Sequence, residues 1–256
     1  MMPMTTTLEK PKIEIVSHCL ADIYPHYADL LCYQLSSLIL DRPRLCDVTV
    51  TICYLYADTQ TEAVLDLFSK YTNSELHLNP IEFGWRDYLG RRSIGRNKAA
   101  MYSDADIVWF SDVDQCYRDG ILDQLAKMEW PKEAAMIYPR DIKIHKDHTT
   151  GDRAAKLVDG KPRIMGINYT NFIPKHYTRA IGGVQIVRGD FAREHGYLNG
   201  IDKWQQPANK PFGDFRDDIA YRKFCQEHGG VRGVDLPGVY RLRHSTNSYE
   251  QKETVT

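Results

Sequence analysis

The sequence predicts an α/β fold, a largely parallel sheet with helices on both faces. Three observations carry that expectation. Strand-like segments alternate with segments of helical periodicity through the first 140 residues, the pattern of successive βαβ units. One apolar run, Ile107-Val108-Trp109-Phe110, stops abruptly at Asp112-Val113-Asp114, as a buried strand does where its carboxyl end meets a ligand-binding edge. A chain of 256 residues, 43% of them hydrophobic, can bury one large core, as a single domain or as one domain with a substantial insertion.

The elements follow in order. "KIEIVSH" (12–18) reads as a buried strand, and Tyr27 to Leu40 has helical spacing. "DVTVTICYLY" (47–56) is β-branched and alternates at first, so it is a second strand, and "TEAVLDLFSKY" (61–71) is a helix. "LHLNPIEF" is a third extended piece. "DYLGRRSIGRNKAAMYS" reads as a helix interrupted, or started late, by Gly95, and "DIVWFSD" as the fourth strand. "GILDQLAKM" gives a further helix and "AAMIYPR" a further strand. Beyond Arg140 a polar stretch punctuated by Gly and Pro, 141–180, is expected to be irregular, a lid or an acceptor-side excursion. Order is expected again at "IGGVQIVRGDFAREHGYL", a short strand and a helix, and at the helix "DDIAYRKFCQEHGG". No internal repeat is present, and the last ten residues read as a frayed tail.

Composition removes several functional classes. The formal net charge of −1 lacks the basic excess of an electrostatic nucleic-acid binder. No run of eighteen apolar residues marks a transmembrane helix, and "MMPMTTTLEKPK" lacks the apolar region of a signal peptide. Cys19, Cys32, Cys46, Cys53, Cys116 and Cys225 are scattered, without a CxxC pair, and most sit in apolar segments. They are expected to be reduced core residues of a cytoplasmic protein.

Three segments hold candidate chemistry. Asp112 and Asp114 offer oxygen ligands that can hold a hard divalent cation beside a diphosphate. On the tripeptide alone a solvated turn is the simpler reading, and the buried strand before it brings the metal reading level. His244 in "RHSTNSY" can complete an oxygen-rich site or be an ordinary surface histidine, whereas "HKDH" (145–148) reads as a solvated loop. Asp217 and Asp218 open a helix, where acidic residues are favoured by the dipole. By themselves they read as helix capping, and the functional alternative is a general base for an acceptor hydroxyl.

Taken in order, these segments resemble the GT-A glycosyltransferases, most closely the β1,4-galactosyltransferase-like and bacterial chondroitin-type transferases. "WFSDVD" resembles their metal-binding segment, "GRNKAA" (95–100) the helix near the nucleotide, and "YPR" (138–140) the strand that follows. "IGGVQIVRGDFAREHGYLNG" resembles their acceptor-side segment, "DDIAYRKFCQEHG" their acidic helix, and "RLRHS" their late histidine motif. The resemblance spans about residues 93 to 250.

It implies a single GT-A, Rossmann-like domain over 1–256, with a nucleotide-sugar half at about 10–140 and an acceptor and catalytic half at about 141–250. The implied enzyme is a metal-dependent inverting glycosyltransferase of galactosyltransferase type, active in polysaccharide biosynthesis. It moves a sugar from a UDP-linked donor to a glycan acceptor with Mn²⁺ or Mg²⁺. Asp114 becomes the metal-binding aspartate, Asp112 a contact to the nucleotide ribose or the metal, and His244 the distal metal ligand. Arg96 and Asn97 lie near the nucleotide, Asp218 is the catalytic base, Asp217 holds the acceptor, and Gly182 and Gly183 line the acceptor side. Two departures stand out: Asp217 replaces the family's glutamate, and the aromatic expected just before it is missing, with Phe212 and Phe215 the nearest substitutes. A cytosolic enzyme associating peripherally with a membrane fits the absence of a span. The rival classes are a nucleotidyltransferase acting on sugar phosphates, which would bring a basic Gly-rich N-terminal signature, and a non-catalytic sugar-nucleotide-binding module. A two-carboxylate glycosidase would need neither metal nor nucleotide.

Overall fold

A computed structural model describes residues 9–84, 91–146, 161–206 and 216–244. Its main sheet has seven strands in the order β10-β6-β9-β4-β1-β2-β3. These are β1 (Lys12–Cys19), β2 (Asp47–Leu55), β3 (Leu76–Phe83), β4 (Ile107–Phe110), β6 (Met136–Pro139), β9 (Gln185–Arg188) and β10 (Val231–Val234). β1 pairs in parallel with both β2 and β4, whereas β9 runs antiparallel between β4 and β6. The chain leaves β1 toward β2 and β3, then returns to lay β4 on β1's other side. The loops after β1 and β4 therefore part at their carboxyl ends and open a crevice, the usual ligand position in such sheets.

Burial explains the central strands. Every residue of β1 after Lys12 is buried, and Val108, Trp109 and Phe110 of β4 are closed to solvent. Covering a large apolar side chain contributes roughly 1.5–3 kcal/mol, so β4 is a firm support for whatever follows it. Helix α1 (His26–Leu40) is buried around most of its circumference because it also touches a second sheet. Its polar residues are used as braces: Ser37 Oγ accepts from the Tyr117 N–H at 2.9 Å, Gln34 Nε2 donates to the Asp112 carbonyl at 3.0 Å, and Ser36 Oγ accepts from the Met165 N–H at 2.8 Å.

That second sheet was not expected. It has four strands in the order β5-β11-β7-β8, namely β5 (Gln115–Tyr117), β7 (Asp141–His145), β8 (Phe172–His176) and β11 (Val239–Arg241). The 141–180 stretch is thus not wholly irregular. Asp141–His145 alternates charged residues with the buried Ile142 and Ile144, the period of a half-buried strand. His145, expected in a solvated loop, is buried against Phe172. Residues 147–160, the centre of the expected lid, and the last ten residues lie outside the described parts. All six cysteines are buried and free, as expected. No helix among the described residues is long and apolar enough to cross a membrane.

After α2 (Thr59–Ser69), helix α3 (Arg92–Tyr102) begins before Gly95 and runs through it. Gly95 has a packing reason to be there. A Cβ at that position would overlap His18 Nε2 and lie 3.1 Å from Cys53 Sγ, both on buried strands. Gly95→Ala should therefore lower stability by about 1–2 kcal/mol through overpacking, although alanine is the better helix former by about 1 kcal/mol. In a His18→Ala background the same change should stabilise. Urea unfolding of the four proteins of that cycle tests this, and an equal effect of Gly95→Ala in both backgrounds would refute it.

Candidate active site

The acidic pair lies where the two sheets meet. β4 belongs to the seven-stranded sheet and β5 to the four-stranded one, so residues 111–114 cross between them. Ser111 still follows the first sheet, its N–H donating to the Val16 carbonyl at 2.9 Å, while its Oγ is 2.6 Å from the Tyr117 hydroxyl. The Asp114 carbonyl accepts from the Leu242 N–H at 2.8 Å, which ties it to the end of β11.

Asp112 faces two guanidiniums from one side of α3. Arg92 Nη1 lies 3.0 Å and Arg96 Nη2 3.2 Å from its Oδ1. Burial pushes the Asp112 carboxyl up, but Arg92 and then Arg96 outweigh it and hold the group below the ordinary carboxylate range. Arg96 is wholly enclosed, donates to the Tyr197 hydroxyl at 3.0 Å and lies over that ring. The Tyr197 hydroxyl donates to Gln185 Oε1 at 2.9 Å, and Gln185 Nε2 donates to the Asp218 carbonyl at 2.8 Å. One continuous chain of polar contacts thus links the first acidic pair to the second.

Asp217 and Asp218 open helix α7 (Asp217–Glu227), which follows α4 (Ile121–Lys127), α5 (Gly189–His195) and α6 (Asp202–Gln205). Each accepts from the next backbone N–H: Asp217 Oδ1 from Asp218 at 2.9 Å, and Asp218 Oδ1 from Ile219 at 2.8 Å. They therefore satisfy first-turn N–H groups, while the cap residue itself, Arg216, makes no side-chain capping bond. The expected dominance of the helix dipole is absent. Burial first and the neighbouring Asp217 second push the Asp218 carboxyl up, against the Ile219 N–H, Arg96 and Arg92. Asp217 Oδ2 is buried with no hydrogen-bond partner among the described residues.

Gly182 and Gly183, in a 3-10 turn before β9, form the wall between the two pairs. A Cβ on Gly182 would lie 3.3 Å from Asp218 Cβ; one on Gly183 would overlap Gln115 Nε2 and come within 2.9 Å of Asp112 Oδ2. Trp109 Nε1 fixes the turn by donating to the Gly183 carbonyl at 3.2 Å.

The donors beside Asp114 suit a divalent cation shared with a substrate. Asp114 is almost fully buried, and its Oδ1 has no hydrogen-bond partner among the described residues. His244 Nε2 lies 3.7 Å from Asp114 Oδ2, and His244 Nδ1 likewise lacks a described partner. A buried carboxylate with one unpartnered oxygen, and an imidazole beside its other oxygen, can together hold a divalent cation. No cage of three His, Cys, Asp or Glu groups exists among the described residues.

Most of the expected residues converge here: Asp112, Asp114, His244, Asp217, Asp218, Gly182, Gly183 and Arg96. Asn97 is turned elsewhere, accepting from the Tyr197 N–H at 2.9 Å and donating to Asn199 Oδ1 at 3.3 Å. Arg96 lies beneath Asp112 instead of opening toward the crevice. Phe212 and Phe215 lie outside the described residues. Arg92, Arg241, Tyr197 and Gln185 were missed. Arg92 had a visible signal, since it precedes Arg96 by one helical turn and shares its face. The side chains of Tyr27 and His26, from the start of α1, lie against His244 with ring centroids 5.8 and 5.1 Å away.

No protein-family model matches the sequence, and no curated protein matches it either. Solved structures do. A mannosyltransferase from Pyrobaculum calidifontis, in complex with GDP-Man and Mn²⁺, is similar at 12% identity and TM-score 0.57, over 96% of this chain and 60% of that one. S. aureus TarS 1–349 is similar at 15% identity and TM-score 0.54, over 90% and 60% of the two chains. The same fragment in complex with UDP gives 13% identity and TM-score 0.55, over 92% and 60%. The fold is thus the GT-A fold of these glycosyltransferases, and the chain spans about three fifths of the length of these solved chains.

Asp112→Asn should cost about 3 kcal/mol at neutral pH, because it leaves the enclosed Arg96 guanidinium without its counter-charge. A depressed pKa in the fold makes this stabilisation complete above the unfolded value, about 3.9, and lost as pH falls through the lower folded value. Chemical denaturation of both proteins at pH 7 and pH 3 checks it. Equal stability at pH 7 would sink the assignment.

Proposed function

We propose that the protein is a glycosyltransferase that moves a sugar from a nucleotide-sugar donor to a hydroxyl of a glycan acceptor with inversion. The observation that carries this reading is the glycine wall. On a GT-A frame, Gly182 lets Asp218 pack against one end of a turn whose other end, Gly183, packs against Asp112. Residues of about 10–140 hold the donor and those of about 141–250 the acceptor.

The nucleotide sugar lies across the carboxyl ends of β1 and β4, with the diphosphate toward Arg92 and Asp114. Arg92 keeps an exposed fraction of 23% in its side chain, so it can meet a phosphate while paired with Asp112. Asp112, held by Arg92 and Arg96, presents Oδ2 on the Gly183 side to a ribose hydroxyl. A divalent cation, Mn²⁺ or Mg²⁺, bound by Asp114 and His244 would stabilise the charge that develops on the departing diphosphate. Asp217, buried with an orphaned oxygen, orients the acceptor. Asp218 takes the proton of the attacking hydroxyl while that oxygen bonds to the anomeric carbon. The bond from that carbon to the phosphate oxygen breaks, and its electron pair leaves with the nucleotide diphosphate. The upward push on the Asp218 carboxyl makes it a stronger proton acceptor than an ordinary aspartate.

The motif resemblance favours a UDP-linked hexose of galactosyl type, and the similar structures carry either UDP or GDP-Man. A nucleotide-release assay over UDP- and GDP-sugars, with and without Mn²⁺ or Mg²⁺ and with a panel of glycan acceptors, tests the function. Failure to consume any donor under any of these conditions would refute it. Asp218→Asn should lower kcat at least ~10²-fold with donor affinity nearly unchanged. The base acts only when ionised, so kcat falls as pH drops through its pKa. The raised pKa places that acid limb above the ordinary aspartate value of about 3.9. A variant keeping more than about a tenth of wild-type turnover would reduce Asp218 to a helix cap.

A further inference from the structure

Arg241 is the last residue of β11, and its Nε lies 2.8 Å from Asp114 Oδ2, on the carboxylate that the functional reading gives to a metal. The contact has a cost to any incoming cation, because Arg241 already neutralises the ligand. The backbone leaves Asp114 little room to turn away. Arg241 opposes Gln115 in the β11–β5 ladder, and the Leu242 N–H holds the Asp114 carbonyl. The partner with room to leave is the arginine, whose side chain keeps 35% of its surface exposed while that of Asp114 keeps 3%.

Charge sharpens the point. Four carboxyl groups meet here, Asp112, Asp114, Asp217 and Asp218, and three guanidiniums answer them, Arg92, Arg96 and Arg241. Arg241 feels Asp114 first, with burial opposing it and Asp112 adding to the attraction. With all four ionised, the cluster keeps one negative charge unanswered before any metal arrives, so a divalent cation alone still brings an excess of positive charge. A diphosphate restores the balance.

We propose, resting on the glycosyltransferase reading, that Arg241 is a resident counter-cation that a divalent metal displaces from Asp114 and that then pairs with the donor's diphosphate. The planar guanidinium suits a phosphate as well as a carboxylate, and its position on β11 keeps it beside Asp114. Metal and nucleotide binding are thereby coupled: the metal frees the arginine, and the diphosphate receives it.

The test uses Mn²⁺ alone, followed by electron paramagnetic resonance, and UDP or GDP at saturating Mn²⁺, followed by calorimetry. Arg241→Gln should bind Mn²⁺ about tenfold more tightly without nucleotide and bind the nucleoside diphosphate about tenfold more weakly with it. Arg241→Lys should show the same opposite signs with smaller amplitude, and it serves if the glutamine variant fails to fold. An arginine that merely braces Asp114 predicts weaker metal binding on substitution. Unchanged or weaker Mn²⁺ binding, or undiminished diphosphate binding, in a folded variant would overturn the handover. Wild-type protein that binds Mn²⁺ but neither UDP nor GDP would instead overturn the glycosyltransferase reading itself.

Discussion

The arrangement rests on one enclosed guanidinium. Arg96 has no access to water, so its charge must be answered within the protein, and Asp112 and the Tyr197 hydroxyl answer it. An unpaired ion at such a depth costs several kcal/mol, which forces α3, the end of β4 and the turn before Tyr197 into one mutual geometry. The Tyr197–Gln185–Asp218 contacts extend that constraint to the start of α7. Two acidic pairs more than 100 residues apart in sequence are thus positioned by a single buried charge and the polar chain running from it. The solvent-facing groups, Arg92 and Arg241, are the ones left free to meet a ligand.

Much of the fold was legible because its signals are local. β1, β2 and β4 announce themselves by apolar runs of strand length, and α2 and α7 by helical spacing. The four-stranded sheet was harder to see. β5 and β11 have three residues each, too few to establish a period. β7 does alternate, but lysine and histidine in a polar neighbourhood mask it. Such short strands are stabilised by partners distant in sequence, as Tyr240 with Cys116 and with Lys143 shows.

The site divides along the same line. Asp112, Asp114, Asp217 and Asp218 were visible as pairs of carboxylates at element ends. Their counter-charges were not, because nothing local says that Arg241 reaches back to Asp114 or that Arg92 and Arg96 share one oxygen. The raised affinity of Asp218 for its proton is likewise a product of tertiary burial and of a neighbour's charge, and the helix dipole alone argued the other way.

The reversed direction of β9 has a consequence for accuracy of folding. Gln185, its first residue, opposes Phe110, the last of β4, so this antiparallel strand enters the sheet at the edge where β4 leaves it. The turn that precedes β9 is delivered to that edge by strand register together with the Trp109 bond to the Gly183 carbonyl. A slip of one residue would exchange the faces of β9 and carry Val184 toward the place of Gly183, where a side chain would run into Gln115 and Asp112. Hydrogen bonding along the ladder is nearly indifferent to such a slip, whereas the crevice is not. Pairing fidelity in one four-residue strand therefore separates an open site from a closed one within the same fold.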